Sequence, residues 1–184
     1  MKLDSFNQKQ IVPDNYKILI SEEQIQLRLR ELGEQILNDF NGEKPILIGV
    51  LNGGFIFLAD LIRYINTDVE IDFLRISSYG NERESTGHIK VLKPLSADIN
   101  NRCVVVVEDI VDSGLSVKFL QNMLSAFNPK VLKFATLLYK KGRSKVDLKL
   151  DYVGFEIEDK YVVGYGLDDF QVKRNLRSIY VIGS

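Results

Sequence analysis

The stretch CVVVVEDIVDSGLSVKFL, residues 103–120, constrains the fold more tightly than any other part of the chain. Residues 103–107 form an apolar run that suits a strand buried on both faces, as in the middle of a parallel sheet. The run meets two acids, Glu108 and Asp109, and a third, Asp112, precedes Ser113 and Gly114. A helical periodicity then begins, with Val117, Leu120, Leu124 and Phe127 on one face of a helix expected over 114–127. Unpaired carboxylates are too costly to bury in a core. Glu108 and Asp109 are therefore expected to face a cleft at the carboxyl end of the strand, which is where open parallel sheets bind ligands.

The same alternation runs through the chain. SEEQIQLRLRELGEQILNDF reads as a helix over 21–40, with Ser21 and Gln24 forming a capping box and Ile25, Leu29, Leu32, Ile36 and Phe40 on one face. Strands are expected at 45–50, 69–77, 88–93, 131–139, 152–157, 161–166 and 178–183, and a second helix at 55–65. The first twenty residues are mixed, with Pro13 as a breaker, and carry no assigned element. The polar stretch 78–87 reads as a loop. Strands alternating with helices predict an α/β fold: a central, mainly parallel sheet flanked by helices. The 184 residues suit one domain spanning the chain.

A net charge of −1 argues against a nucleic-acid or acidic-membrane partner. No apolar run approaches the roughly 18–20 residues that a membrane span needs. MKLDSFNQKQ lacks the apolar core of a signal peptide, and the single cysteine, Cys103, reads as inert core, so a cytoplasmic location is expected. His88, the only histidine, reads as structural or surface and leaves no histidine–cysteine set for zinc.

Residues 112–116, DSGLS, open a helix. The first N–H groups of a helix lack internal partners and sit at the positive end of its dipole. Gly114 permits close approach, and Ser113 and Ser116 add hydroxyls, so this turn can cradle a phosphate. The Walker loop and the G-x-G-x-x-G pattern are both absent. From these residues alone a structural alternative stays open, in which Ser113 caps the helix and the acids are a solvated strand end.

The pattern VVVVEDIVDSGLS resembles the phosphoribosyl-diphosphate (PRPP) motif of the type I phosphoribosyltransferases. LNGGFIFLADL resembles the pyrophosphate loop of the hypoxanthine-guanine phosphoribosyltransferases, and SSYGNERESTGHIKV resembles their mobile loop. LLYKKGRS and DYVGFEIEDKYVVGYGLDDFQVKRNL resemble their purine-binding end. The likeness covers roughly residues 45–182, in family order.

The resemblance implies Mg²⁺-dependent transfer of phosphoribose from PRPP to hypoxanthine or guanine, giving IMP or GMP and pyrophosphate. It places Glu108 and Asp109 under the ribose and on Mg²⁺, with Asp168 on a second Mg²⁺. It gives the 5′-phosphate to Ser113, Gly114, Leu115 and Ser116. Asp112 would exchange a proton with purine N7, the alternative being a helix cap. Lys140 would read the 6-oxo group, since a charged lysine donates and never accepts; the alternative, given Lys141, is a solvated strand end. Tyr161 would stack on the base, although a tyrosine in a strand is more often core, and Val162 would present its backbone to the purine edge. Leu51, Asn52, Gly53 and Arg174 would serve pyrophosphate, and the Leu51–Asn52 bond can be cis in this family. Many relatives carry lysine where this chain has Asn52. Ser78 and Tyr79 would cover the site, the plain alternative being a hairpin loop. Asp169, Lys173 and Arg177 are left as surface charges. The resemblance also implies a small purine-binding hood built from N- and C-terminal segments, and a homodimer or homotetramer. Helix 21–40 lies outside the matched stretch and is assigned to the hood or an interface.

Two rivals remain. A PRPP-binding regulator of RNA or transcription would need a broad basic face, for which KKGRSK (140–145) is the only candidate. A xanthine- or adenine-specific transferase would differ at 155–170. The residues do not choose between hypoxanthine and guanine.

Overall fold

The computed structural model describes residues 12–79 and 88–182. The elements run β1 (Tyr16–Ile20), α1 (Glu22–Asp39), β2 (Ile46–Leu51), α2 (Phe55–Leu61) with a 3₁₀ turn at Ile62–Tyr64, β3 (Glu70–Tyr79), β4 (His88–Lys93), β5 (Cys103–Val111), α3 (Leu115–Ser125), β6 (Val131–Lys140), β7 (Tyr152–Ile157), β8 (Val162–Val163) and β9 (Ile179–Ile182).

Among these residues, six strands form one sheet in the order β4-β3-β2-β5-β6-β7. The pairs β3–β2, β2–β5, β5–β6 and β6–β7 are parallel, and only β4 runs antiparallel at the edge. This is the expected α/β architecture, with β5 in the middle. Its valines alternate between two cores, because successive strand side chains point to opposite faces. Val105 and Val107 join the cluster beneath α1 and α2. Val104 and Val106 join the cluster beneath α3.

Helix α1 forms as its sequence predicts. Ser21 accepts from Gln24 N–H, and the Gln24 side chain answers the Ser21 N–H, completing the capping box. Its apolar face is fully buried in the cluster that also holds α2 and the sheet. Arg28 clamps the outer strand β7, donating to the carbonyls of Val153 (2.7 Å) and Gly154 (3.0 Å). Helix 21–40 is thus part of the main body rather than of the small sheet.

A second sheet of three strands has the order β1-β9-β8, all antiparallel. It joins the beginning of the chain to its end. The stretch read as a strand over 161–166 is a strand only at Val162–Val163. Gly164, Tyr165 and Gly166 then take positive φ values of 97°, 51° and 98°, which turn the chain out of the sheet.

Candidate active site

The carboxyl ends of the parallel strands lie along one edge of the main sheet, and the site is assembled there. Strand β5 continues past its valines through both acids to Val111, with Glu108 paired to Thr136 and Val111 to Tyr139. The acids are therefore strand residues, and the pleat sends them to opposite faces. Glu108 lines a cavity of about 110 Å³ with Asp112, Ser113, Gly114 and Ser116. Asp109 turns to the other side, where the turn between β2 and α2 passes over it. That turn begins with a cis Leu51–Asn52 bond.

Gly53 is required at this point. A Cβ there would lie 1.5 Å from Asp109 Oδ2. Gly166 is required in turn, since a Cβ on it would lie 2.2 Å from the Gly53 carbonyl oxygen. Two glycines thus let three backbone segments close around one carboxylate. Arg174 donates to the Gly166 carbonyl at 2.8 Å and pairs with Asp168 at 2.7 Å. Asp168 also accepts from Gln171 N–H. Leu51, Asn52 and Arg174, with Phe55, Phe73 and Gln171, line an adjoining open cleft of about 580 Å³.

Burial pushes the Asp109 carboxyl up to about 6, with nearby Asp168 adding to the rise and Arg174 opposing it. Burial, reinforced by the charge of Asp109, pushes Glu108 well above the usual carboxylate range. The ionised forms of both acids are costly in the protein alone, as expected of carboxylates that await a cation or hydroxyl donors.

Helix α3 opens with Gly114 at φ 77° as its N-cap, a residue with no side chain to cap the helix. The Ser113 hydroxyl accepts the first helix N–H, that of Leu115, at a long 3.5 Å. Ser113 thus caps α3 only weakly, and the N-terminus of α3 borders the cavity that Glu108 lines. Leu115 begins the helix and contributes backbone there, as does Gly114.

Asp112 and Lys140 meet across this edge. The Lys140 ammonium is nearly buried and donates to Asp112 Oδ2 at 3.3 Å and to Asp159 Oδ1 at 3.2 Å. Lys140 is thus not a solvated strand end, although Lys141 is exposed and pairs with Glu156. Arg143 grips Asp159 and places Nε 3.0 Å from Asp112 Oδ1. The sequence assigns neither to this site: Arg143 reads only as part of the basic stretch 140–145, and Asp159, a single charge in a polar loop, carries no periodicity.

Tyr161 stands at the start of the small sheet and is 56% exposed, so it is not a core aromatic. Its hydroxyl donates to Asp169 at 3.3 Å, and Tyr16 donates to the same carboxylate at 2.8 Å. Asp169 is therefore a hydrogen-bonded link between β1 and Tyr161 and not a simple surface charge. The Val162 side chain is buried. The loop expected over 78–87 starts later than expected, since Ser78 and Tyr79 still belong to β3; the rest of it, 80–87, lies outside the described residues. Among the described residues no cluster of three or more His, Cys, Asp or Glu is placed to hold a metal ion, and no helix is long and apolar enough to cross a membrane.

A family model for the phosphoribosyl transferase domain matches residues 15–169. The hypoxanthine-guanine phosphoribosyltransferase of Bacillus subtilis is 44% identical over 169 residues, covering 92% of this chain and 94% of the relative. The chain belongs to the hypoxanthine-guanine phosphoribosyltransferase family. The family enzyme of Aquifex aeolicus is also 44% identical, over 95% of this chain and 98% of its own. A crystal structure of a family member from Bacillus anthracis superposes with a TM-score of 0.87 at 51% identity, covering 90% of this chain and 98% of that one. The family match begins at residue 15, so it takes in β1 and α1, both outside the stretch whose motifs carry the resemblance.

Proposed function

We propose that this phosphoribosyltransferase salvages purines, moving phosphoribose from PRPP to N9 of hypoxanthine or guanine to give IMP or GMP and pyrophosphate. The observation that carries this reading is the 3.3 Å contact between Lys140 and Asp112. It sets a lysine that can read an oxo group against the turn that can cradle a phosphate, as one substrate carrying both groups requires.

In the reaction the C1′–pyrophosphate bond breaks and the C1′–N9 bond forms, with positive charge developing on the ribose ring. Glu108 and Asp109, fixed in β5, stabilise that charge and hold the ribose hydroxyls. The open N-terminus of α3, with Ser113, Gly114, Leu115 and Ser116, binds the 5′-phosphate. Asp112 takes the proton that the base gives up at N7. Lys140 donates to the 6-oxo group, Tyr161 covers one face of the purine and the Val162 backbone meets its edge. Leu51, Asn52, Gly53 and Arg174 face the pyrophosphate. The small sheet, built from both ends of the chain, acts as the purine hood.

Glu108 and Asp109 leave β5 on opposite faces, so Glu108, Asp109 and Asp168 form no single three-carboxylate cage, and each fits Mg²⁺ only as one ligand among waters and substrate phosphates. They are oxygen donors, two of them hold carboxyls whose charge is disfavoured until a cation is near, and Mg²⁺ takes one or two carboxylates beside waters and substrate phosphates. Bound there, Mg²⁺ would offset charge on the leaving pyrophosphate. A cytoplasmic homo-oligomer is part of the same reading.

The regulator is less well supported. Three of the four cations in its candidate basic stretch are paired with acids, Lys140 with Asp112 and Asp159, Lys141 with Glu156, and Arg143 with Asp159.

Asp112→Asn tests the assignment of the proton acceptor. Turnover is expected to fall by about 10²- to 10⁴-fold, with PRPP affinity and melting temperature kept. Full turnover in that variant would remove Asp112 from the reaction.

A further inference from the structure

Lys140 is 8% exposed, so its charge has little water around it. A buried cation is tolerated only when it is paired and hydrogen-bonded. Its two counter-charges are not equivalent. Asp112 belongs to the turn before α3 and, in the proposed reaction, must engage the purine ring. When it does so, Lys140 loses one partner while it is needed at the 6-oxo group. Asp159 lies between β7 and β8, in a different segment of the chain, and its Oδ1 accepts from Lys140 at 3.2 Å.

Asp159 is itself held. Arg143 Nη1 donates to both of its oxygens, at 2.9 and 2.8 Å. Arg143, and then Lys140, hold the Asp159 carboxyl below its ordinary range. Arg143 Nε also stands 3.0 Å from Asp112 Oδ1, an enclosed oxygen with no hydrogen-bond partner. Asp112, Lys140, Asp159 and Arg143 thus close a ring of alternating charge. Three separate segments feed it: the turn before α3, the end of β6 with the turn after it, and the turn after β7.

We propose that Asp159, braced by Arg143, is the positioning residue of the base subsite. It keeps the Lys140 ammonium compensated and aimed at the purine 6-position while Asp112 serves the ring, and so sets the preference for a 6-oxo over a 6-amino group. This rests on the transferase reading above. Both residues act through Lys140 and neither needs to touch the substrate. Their side chains are 52% and 48% exposed, and exposed ion pairs add little to stability. A positioning role and a structural one are therefore separable.

The test compares wild type with Asp159→Asn, Asp159→Glu and Arg143→Gln in initial-rate assays with hypoxanthine, guanine and adenine at varied PRPP. Asp159→Asn is expected to raise KM for hypoxanthine and guanine about tenfold, leave KM for PRPP within about twofold, and narrow the margin over adenine. Asp159→Glu should recover part of the loss. Arg143→Gln should move the same constants by less, with melting temperatures unchanged throughout. Equal changes in base and PRPP constants, or an unmoved base KM, would overturn the proposal while the transferase reading stood. Absence of product from the wild-type enzyme would instead overturn the transferase reading, and this proposal with it.

Discussion

Burial holds Asp109 up at about 6 and lifts Glu108 well above the usual carboxylate range, and this has a consequence for stability. An acid whose folded pKa exceeds its ordinary value binds more protons folded than unfolded. Its contribution favours the fold below about pH 4, its unfolded pKa, and is lost as pH rises through 6. At pH 7.5 the ionised Asp109 therefore costs the empty protein stability, on the order of 2 kcal/mol after allowance for partial exposure. Asp109→Asn should raise the melting temperature of the ligand-free protein at pH 7.5, while PRPP turnover collapses, and the gain should shrink as pH is lowered toward 4. A melting temperature unchanged at pH 7.5 would contradict this. The acids of β5 and the DSGLS turn were legible in the sequence because their meaning is local, a buried strand followed by charges and a glycine. Arg143 and Asp159 were not, because their role depends on two distant loops meeting at Lys140. Asp169 was misread for the same reason, since its partner Tyr16 lies at the other end of the chain.

At the scale of elements, the turn between β2 and α2 depends on Gly53 having no side chain. Gly53→Ala would drive a methyl group into Asp109 Oδ2, so the turn or the carboxylate must move. Stability should fall by about 1–3 kcal/mol, and turnover by at least about tenfold, as read from a melting curve and steady-state rates. A fully active variant would show that Asp109 is not held in register by this turn. Helix α1 and the strands of the main sheet were readable because each carries its own periodicity, and the capping box at Ser21 marked where α1 begins. Strand β1 was not. Its burial alternates poorly, with Ile18 60% exposed, and its partner β9 lies at the far end of the sequence. Strand β5 was read too short because acids look like the end of a strand. Pairing with β6 carries it on to Val111.

At the scale of the whole molecule, the site lies where the carboxyl edge of the six-stranded sheet meets the loops of the small one. Gly53 and Gly166 touch backbone to backbone across that junction. Asp168 and Asp169 sit side by side in it, the first paired with Arg174 near the turn between β2 and α2 and the second bonded to Tyr161. The main sheet supplies most groups proposed to act on PRPP and also Asp112 and Lys140, proposed to act on the base; the small sheet and its turns add Tyr161 and Val162 for the base and Asp168 and Arg174 for the pyrophosphate. Groups for both substrates thus meet at this one junction, which underlies the claim of transfer between the two. The most direct test mixes the protein with PRPP and Mg²⁺ and with each of hypoxanthine, guanine, xanthine and adenine, following nucleotide formation with an EDTA control. Metal-dependent IMP and GMP with little AMP is the predicted result. PRPP binding without nucleotide formation from any base would contradict it and make the protein a sensor of PRPP.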